Sequence, residues 1–242
     1  MISGVVLDLD GVIVDSEHLW EESWVACCQR RGAEWARDDT TACQGMSPPE
    51  WARYIAEKLG EVANAPGDAA APGGAEAPGA AGAPAPDVVR AIQEECVDDV
   101  IAAIAAGHAP LLDGAGALIA QVGAQVPLAL ASSAARRVID AVLRHHEIAD
   151  RFKATVSSEE VPRGKPSPDV YAEAARRIGV TAGTGIAIED SGNGIRAAHA
   201  AGLSVVAIPN PLYPPHAEAL ELADHVATDH GDALDYLLAR LR

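Results

Sequence analysis

The sequence predicts an α/β protein, a doubly wound, Rossmann-like parallel sheet core with an inserted all-helical domain. Three observations carry this. Short apolar runs end in carboxylates, hydroxyls or proline; helix-like stretches alternate with them; and a long segment after the first run keeps helical spacing with no strand pattern in it.

The first run, Gly4 to Leu9, closes on Asp8, Asp10 and Gly11. It fits a buried parallel strand whose carboxyl end opens into a site. Pro127 to Ala131 repeats the pattern and ends at Ser132-Ser133. Gly185 to Ile188 ends at Glu189-Asp190, and Ser204 to Ile208 ends at Pro209. Between the second and third runs, Tyr171, Ala174, Ala175 and Ile178 recur at i, i+3, i+4 and i+7. That spacing makes one apolar helical stripe. Ser167-Pro168 reads as its N-cap and first helical residue.

Residues 16–108 break the alternation. Trp20, Trp24, Cys27 and Cys28 lie at helical spacing, as do Val97, Val100, Ile101 and Ile104. The division expected is therefore 1–15 with 109–242 as the α/β core, and 16–108 as the helical insertion. The Trp and Cys stripe reads as the core of the insertion rather than as a cofactor box. Within it, 66–86 is an Ala, Gly and Pro tract. It offers too little apolar surface to offset the entropy of ordering, so a disordered excursion is expected.

Only 4% of the 242 residues are aromatic, with a single Phe, while 49% are hydrophobic. Aliphatic side chains must therefore fill the core, which suits a parallel sheet covered by helices. The formal net charge of -17 argues against nucleic acid and anionic membrane as partners. It leaves room for a small anionic substrate at a locally positive pocket. Cys27, Cys28, Cys43 and Cys96 contain no C-x-x-C pair and read as buried small hydrophobes rather than a zinc or redox site. The start, MISGVVLDLDG, lacks a basic n-region, and no apolar run is long enough to span a bilayer. A cytoplasmic monomer is the expectation.

The chemistry gathers at the strand ends. Asp8 and Asp10 leave one face of a strand while Leu9 points the other way. Open α/β sheets bind ligands beyond the carboxyl ends of their strands. There the chain offers Asp8, Asp10, Glu189 and Asp190 for a hard cation, Ser132 as a hydroxyl donor, and Lys165 just before a helix. Taken singly, Ser132 could cap a helix, Lys165 could be a solvated lysine, and Asp190-Ser191 could be a turn. Their joint pattern favours a functional site over these separate readings.

In order, Asp8-Leu9-Asp10-Gly11-Val12, Ser132, Lys165 and Glu189-Asp190 resemble the four motifs of the haloacid dehalogenase superfamily. Lys165-Pro166-Ser167-Pro168 and Ile188 to Ile195 (IEDSGNGI) are similar to the branch with a helical cap after the first motif, that of β-phosphoglucomutases and sugar-phosphate phosphatases. The resemblance implies a Mg²⁺-dependent phosphatase. Asp8 would attack phosphorus and Asp10 would serve as general acid and base. Asp8, the Asp10 carbonyl and Asp190 would hold Mg²⁺, with Glu189 behind them. Leu9, Asp10, Ser132, Ser133 and Lys165 would contact the phosphate. The family's dehalogenases and phosphonate-cleaving members lack an acid at the place of Asp10, so Asp10 favours phosphate esters, whose alkoxide leaving groups need a proton.

The resemblance also frames the substrate. Asp15-Ser16-Glu17 through Trp20 is similar to the first cap helix of sugar-phosphate phosphatases, and Gln44-Gly45-Met46-Ser47 to the loop facing substrate. The mutases place a His, a Lys and an Arg where Trp20, Gln44 and Pro48 stand here. Hydrolysis of a sugar or polyol phosphate is thus expected over mutase action, with a non-catalytic phosphometabolite-binding module as the reading from another class. His18, Arg163 and Arg196 are further candidates for substrate contact.

Overall fold

The computed structural model describes residues 2–43, 45–60 and 83–241. In chain order the elements are β1 (Gly4–Leu7), α1 (Glu17–Arg30), α2 (Arg37–Cys43), α3 (Pro48–Lys58), α4 (Pro86–Ala105), α5 (Ala115–Gly123), β2 (Leu128–Ser132), α6 (Arg136–His145), β3 (Ala154–Ser157), α7 (Asp169–Arg177), β4 (Gly185–Glu189), α8 (Gly192–Ala200), β5 (Ser204–Ala207), α9 (Ala217–Leu220), β6 (His225–Val226) and α10 (His230–Leu241). The six strands form one sheet in the order β3-β2-β1-β4-β5-β6, and every pairing is parallel. The order reverses at β1, which gives the doubly wound arrangement.

Alternation along the strands divides the core. Val5 and Leu7 face one side of the sheet with Leu128 and Leu130, a layer that continues into the helical insertion. Val6 faces the other side with Ala129, Ala131 and Ala187, against residues of α7 and α8. Alanine on that face lets those two helices lie close to the strands. Expected strands at 4–9, 127–131, 185–188 and 204–208 correspond to β1, β2, β4 and β5. Two strands have no counterpart in the expectation: β3 is four residues long with only half of them fully buried, and β6 has two residues. Such short half-buried segments carry no periodic signal.

Helices α1 to α4 fall between β1 and β2. The chain leaves for them and returns along adjacent paths: Asp15 N donates to Pro110 O at 3.0 Å and Leu112 N to Ile13 O at 3.0 Å. Glu17 in the first turn and Arg30 in the last complement the dipole of α1. Ser47 and Glu50 form a capping box on α3, with Pro48 following the cap. The Trp and Cys stripe is buried, and Trp20, Trp24 and Trp51 meet with ring centroids 5.7–6.4 Å apart. All four cysteines are free thiols and buried. The tract at 66–86 lies outside the described residues up to 82; Pro86 already belongs to α4. Ser167 does not cap α7 as expected. Its hydroxyl donates to Asp169 Oδ1 at 2.7 Å, and Pro168 occupies the cap position. Among the described residues no helix is long and apolar enough to cross a membrane.

Trp51 is 2% exposed at the centre of the aromatic cluster. Trp51→Ala should cost about 3–5 kcal/mol, the range for emptying a large aromatic site. Urea denaturation should report the loss, with a weakened near-ultraviolet circular dichroism signal from the insertion.

Candidate active site

Register brings the acidic strand ends side by side. Leu7 pairs with Ile188 on β4 and with Leu130 on β2, so Asp8 emerges beside Glu189 and Asp190 on one side and the β2 end on the other. Gly11 then turns the chain at φ +73°, and a Cβ there would stand 2.0 Å from Asp190 Oδ2. Only glycine meets both demands.

One oxygen from each of Asp8, Glu189 and Asp190 lies within 4.8 Å of the others. The Lys165 ammonium reaches into this group, donating to Asp8 Oδ1 and to Glu189 Oε1 at 2.6 Å each. Tyr171 OH also donates to Glu189 Oε1, at 3.0 Å. Glu189 Oε2 accepts from Asp190 N, Ser191 N and Ser191 Oγ at 2.8–2.9 Å. Five donors thus occupy Glu189, which organises the strand end and has little capacity left for a metal. Asp8 and Asp190 are less engaged. Asn210 Nδ2 approaches Asp190 Oδ2 at 3.4 Å.

Three carboxylates face one ammonium, an excess of two negative charges when all are ionised. Burial pushes the Asp8 carboxyl up to about 8, against the pull of Lys165 and with repulsion from Glu189 and Asp10. Burial also holds Asp190 well above the usual carboxylate range, with Glu189 the next cause. Burial works against the Lys165 charge, yet Asp8 and Glu189 more than offset it and keep its pKa above the ordinary lysine value. A divalent cation would bring the group to neutrality, and the oxygen donors suit Mg²⁺. The residues present therefore fit that ion.

Asp10 is built differently. Its Oδ1 accepts from Ser16 Oγ at 2.5 Å and from Trp20 Nε1 at 3.3 Å, both at the start of the insertion. Burial raises its pKa, and these two hydrogen bonds only partly oppose the rise. The group thus holds a proton more readily than a free aspartate.

Asp8, Asp10, Lys165 and Asp190 line a cavity of about 460 Å³ together with Ser133, Trp20, Trp24, Trp51, Arg196 and Tyr213. The Ser133 hydroxyl is buried and has no partner among the described residues. Ser132 is fully buried, and its Oγ accepts from Ala134 N at 2.9 Å. The serines at the end of β3 fix this loop: Ser157 Oγ donates to Ala134 O and Ser158 Oγ to Ser133 O, each at 2.7 Å. The Leu9 side chain is buried in the core.

Of the other candidates, Arg196 lines the cavity, whereas His18 pairs with Asp15 and Arg163 with Asp169 at exposed positions outside it. Gln44 lies outside the described residues. Sequence reading missed four contributors. Trp20 belongs to the aromatic core but also touches Asp10. Its spacing of four from Ser16 put both on one helical face, which was the available signal. Tyr171 was read only as a core position, and Asn210 and Tyr213 lie in a loop with no periodic pattern.

A family model for haloacid dehalogenase-like hydrolases matches residues 2–202. The protein CbbY (plasmid) of Cupriavidus necator is 30% identical over 221 residues, covering 86% of this chain and 78% of that protein. Hexitol phosphatase B of Escherichia coli K12 is 27% identical over 214 residues, covering 87% of this chain and 85% of the relative. Among solved structures, CbbY from Rhodobacter sphaeroides in complex with phosphate superposes with a TM-score of 0.77, at 25% identity over 96% of both chains.

Glu189 supplies the counter-charge of Lys165 and anchors four other donors. Glu189→Ala leaves Lys165 with Asp8 alone and strips the acceptor from buried donors such as Tyr171 OH; it should destabilise the fold by roughly 1–3 kcal/mol or more, the cost of an unsatisfied buried donor. Chemical denaturation of the metal-free protein should show the loss.

Proposed function

The chain belongs to the haloacid dehalogenase-like hydrolase family and is an enzyme acting on phosphate monoesters; on that premise we propose that it hydrolyses the phosphate of a small sugar or polyol at Asp8, with Mg²⁺ as cofactor. The observation that carries the reading is the pairing of two unlike aspartates. Asp8 sits in a buried cluster with Lys165, Glu189 and Asp190. Asp10 lies on the same cavity, with a raised pKa and both of its donors on one oxygen.

In this reading an Asp8 carboxylate oxygen attacks phosphorus. The bond from phosphorus to the ester oxygen breaks, and Asp10 gives that oxygen its proton. An aspartyl-phosphate on Asp8 results. Water then attacks phosphorus, Asp10 takes the proton, and inorganic phosphate leaves with Asp8 restored. Lys165 holds Asp8 in place and offsets charge on the transferred group. Ser132 and Ser133, with the Leu9 and Asp10 backbone, form the phosphate cradle. Asp8, the Asp10 carbonyl and Asp190 hold Mg²⁺, which supplies neutralising charge to the site when bound. The insertion, residues 16–108, acts as the cap that closes over the leaving group, and the Trp20 and Trp51 rings give that group an apolar wall.

A sugar or polyol is favoured because a hexitol phosphatase is among the relatives, at 27% identity. Mutase action would require a grip on a second phosphate. Pro48, which stands where mutases carry an arginine, is buried at the start of α3 and offers no donor.

Phosphate release from a panel of phosphorylated metabolites tests the reading. Asp8→Asn and EDTA should each abolish turnover, and Asp10→Asn should lower kcat by roughly 10²–10⁴-fold. Interconversion of phosphohexose isomers faster than phosphate release would sink it.

Metal affinity should follow pH in a set direction. The Asp8 pKa is raised in the folded chain, from 3.8 to about 8. The metal-free fold therefore binds extra protons between those values and loses stability as pH rises through them. Mg²⁺ requires the ionised form, so its stabilising effect should be larger at pH 8 than at pH 6. At a hundredfold excess over Kd it should be worth about 2.7 kcal/mol. For a chain of this size that raises Tm by roughly 5–11 °C. An equal shift at both pH values, measured by differential scanning calorimetry, would contradict the assignment.

A further inference from the structure

The segment after β5 forms the cavity wall that runs from the acidic cluster to the insertion. It holds Pro209, Pro211, Pro214 and Pro215, four residues with locked φ in a span of seven. Locked φ at four of seven positions restricts how this strap can bend.

Both ends are anchored. At the start, Ile208 N donates to Glu189 O at 2.8 Å. Asn210 uses its amide in two directions: Nδ2 approaches Asp190 Oδ2 at 3.4 Å, while Oδ1 accepts from Leu212 N at 2.9 Å and Tyr213 N at 3.3 Å. At the other end Tyr213 OH donates to Glu21 Oε2 on α1 at 3.2 Å. The insertion holds that glutamate from behind. Thr40 Oγ1 donates to Glu21 Oε1 at 2.9 Å, and Trp35 Nε1 donates to Thr40 at 2.9 Å. Burial, reinforced by Glu21, raises the Tyr213 pKa and keeps its hydroxyl a donor.

We propose that Asn210 and Tyr213 are positioning residues: the proline strap they carry couples the alignment of Asp190 to the seating of α1 over the cavity. The coupling works in both directions. Lifting α1 breaks the Tyr213–Glu21 bond, frees the strap and removes the amide that steadies Asp190. Filling the site at Asp190 draws Asn210 in, fixes the turn and presents Tyr213 to Glu21. The linkage is reciprocal, as any coupling free energy must be. It rests on the functional reading above, because it takes Asp190 as a Mg²⁺ ligand.

The test uses the full chain and Mg²⁺ alone, titrated by thermal shift without substrate, alongside kinetics on the preferred ester. Tyr213→Phe keeps the ring and removes one hydrogen bond to a charged group, worth about tenfold. It should lower kcat/KM and raise the Mg²⁺ midpoint by up to that factor, with the metal-free Tm lowered by only a few degrees. Glu21→Ala should do the same, and the double variant should be no worse than either single one. Glu21→Gln keeps an acceptor for Tyr213 and should restore most of the Mg²⁺ affinity. A wild-type Mg²⁺ midpoint in Tyr213→Phe overturns the strap alone, as does additive loss in the double variant or a lowered metal-free Tm with no change in midpoint. A wild-type chain that shows no Mg²⁺ shift overturns the functional reading together with the strap.

Discussion

Lys165 brings a full positive charge to a buried position, and the architecture around it answers that demand. An isolated buried ammonium would be prohibitively costly. Here two carboxylates from different strands meet it at 2.6 Å each. Those carboxylates then need partners of their own. Glu189 finds them in Tyr171 from α7 and in two backbone N–H groups and a hydroxyl at its own strand end. Satisfying one charge thus fixes the relative positions of β1, β4, α7 and the segment before α7. With all three carboxylates ionised the group would carry more negative than positive charge, and a divalent cation would offset that imbalance.

The sheet sets these groups in place through its alternation. Odd positions of β1 feed the large aliphatic layer and even positions feed the alanine-rich layer, down to Leu9 in the core and Asp8 in the site. Shifting register by one residue would exchange Asp8 with an apolar neighbour. Two glycines guard the same arrangement. Gly11 leaves space for the Asp190 carboxylate, and Gly194 lets α8 approach Glu189, where a Cβ would lie 1.6 Å from Oε1.

The helical insertion lines the cavity and also makes polar contacts with Asp10. Its aromatic cluster supplies stiffness, and Trp20 uses the same ring to pack against Trp51 and to donate to Asp10. Ser16, at the point where the chain enters α1, donates to the same carboxylate oxygen. The two aspartates therefore answer to different parts of the molecule: Asp8 to the sheet and Lys165, Asp10 to the insertion. A change in the seating of α1 acts first on Asp10 and leaves the acidic cluster to be reached through other contacts.

Much of this was legible before any coordinates. The four long-patterned strands, the α/β class and the helical insertion all follow from apolar periodicity, which the chain carries locally. Asp8, Asp10, Lys165, Glu189 and Asp190 were also legible, because each sits at the end of a periodic run or in a recognisable motif. Tertiary structure alone decided the rest. β3 and β6 are too short to show a period, yet the serines ending β3 pin the loop that carries Ser133. Trp20 has the pattern of a core residue, and only packing reveals that its N–H faces Asp10. Asn210 and Tyr213 sit in an aperiodic proline-rich segment, and they acquire meaning from partners 20 and 192 residues away. Sequence periodicity encodes which face of an element is buried. It does not encode which distant polar atom a side chain will meet, because that depends on how whole elements dock.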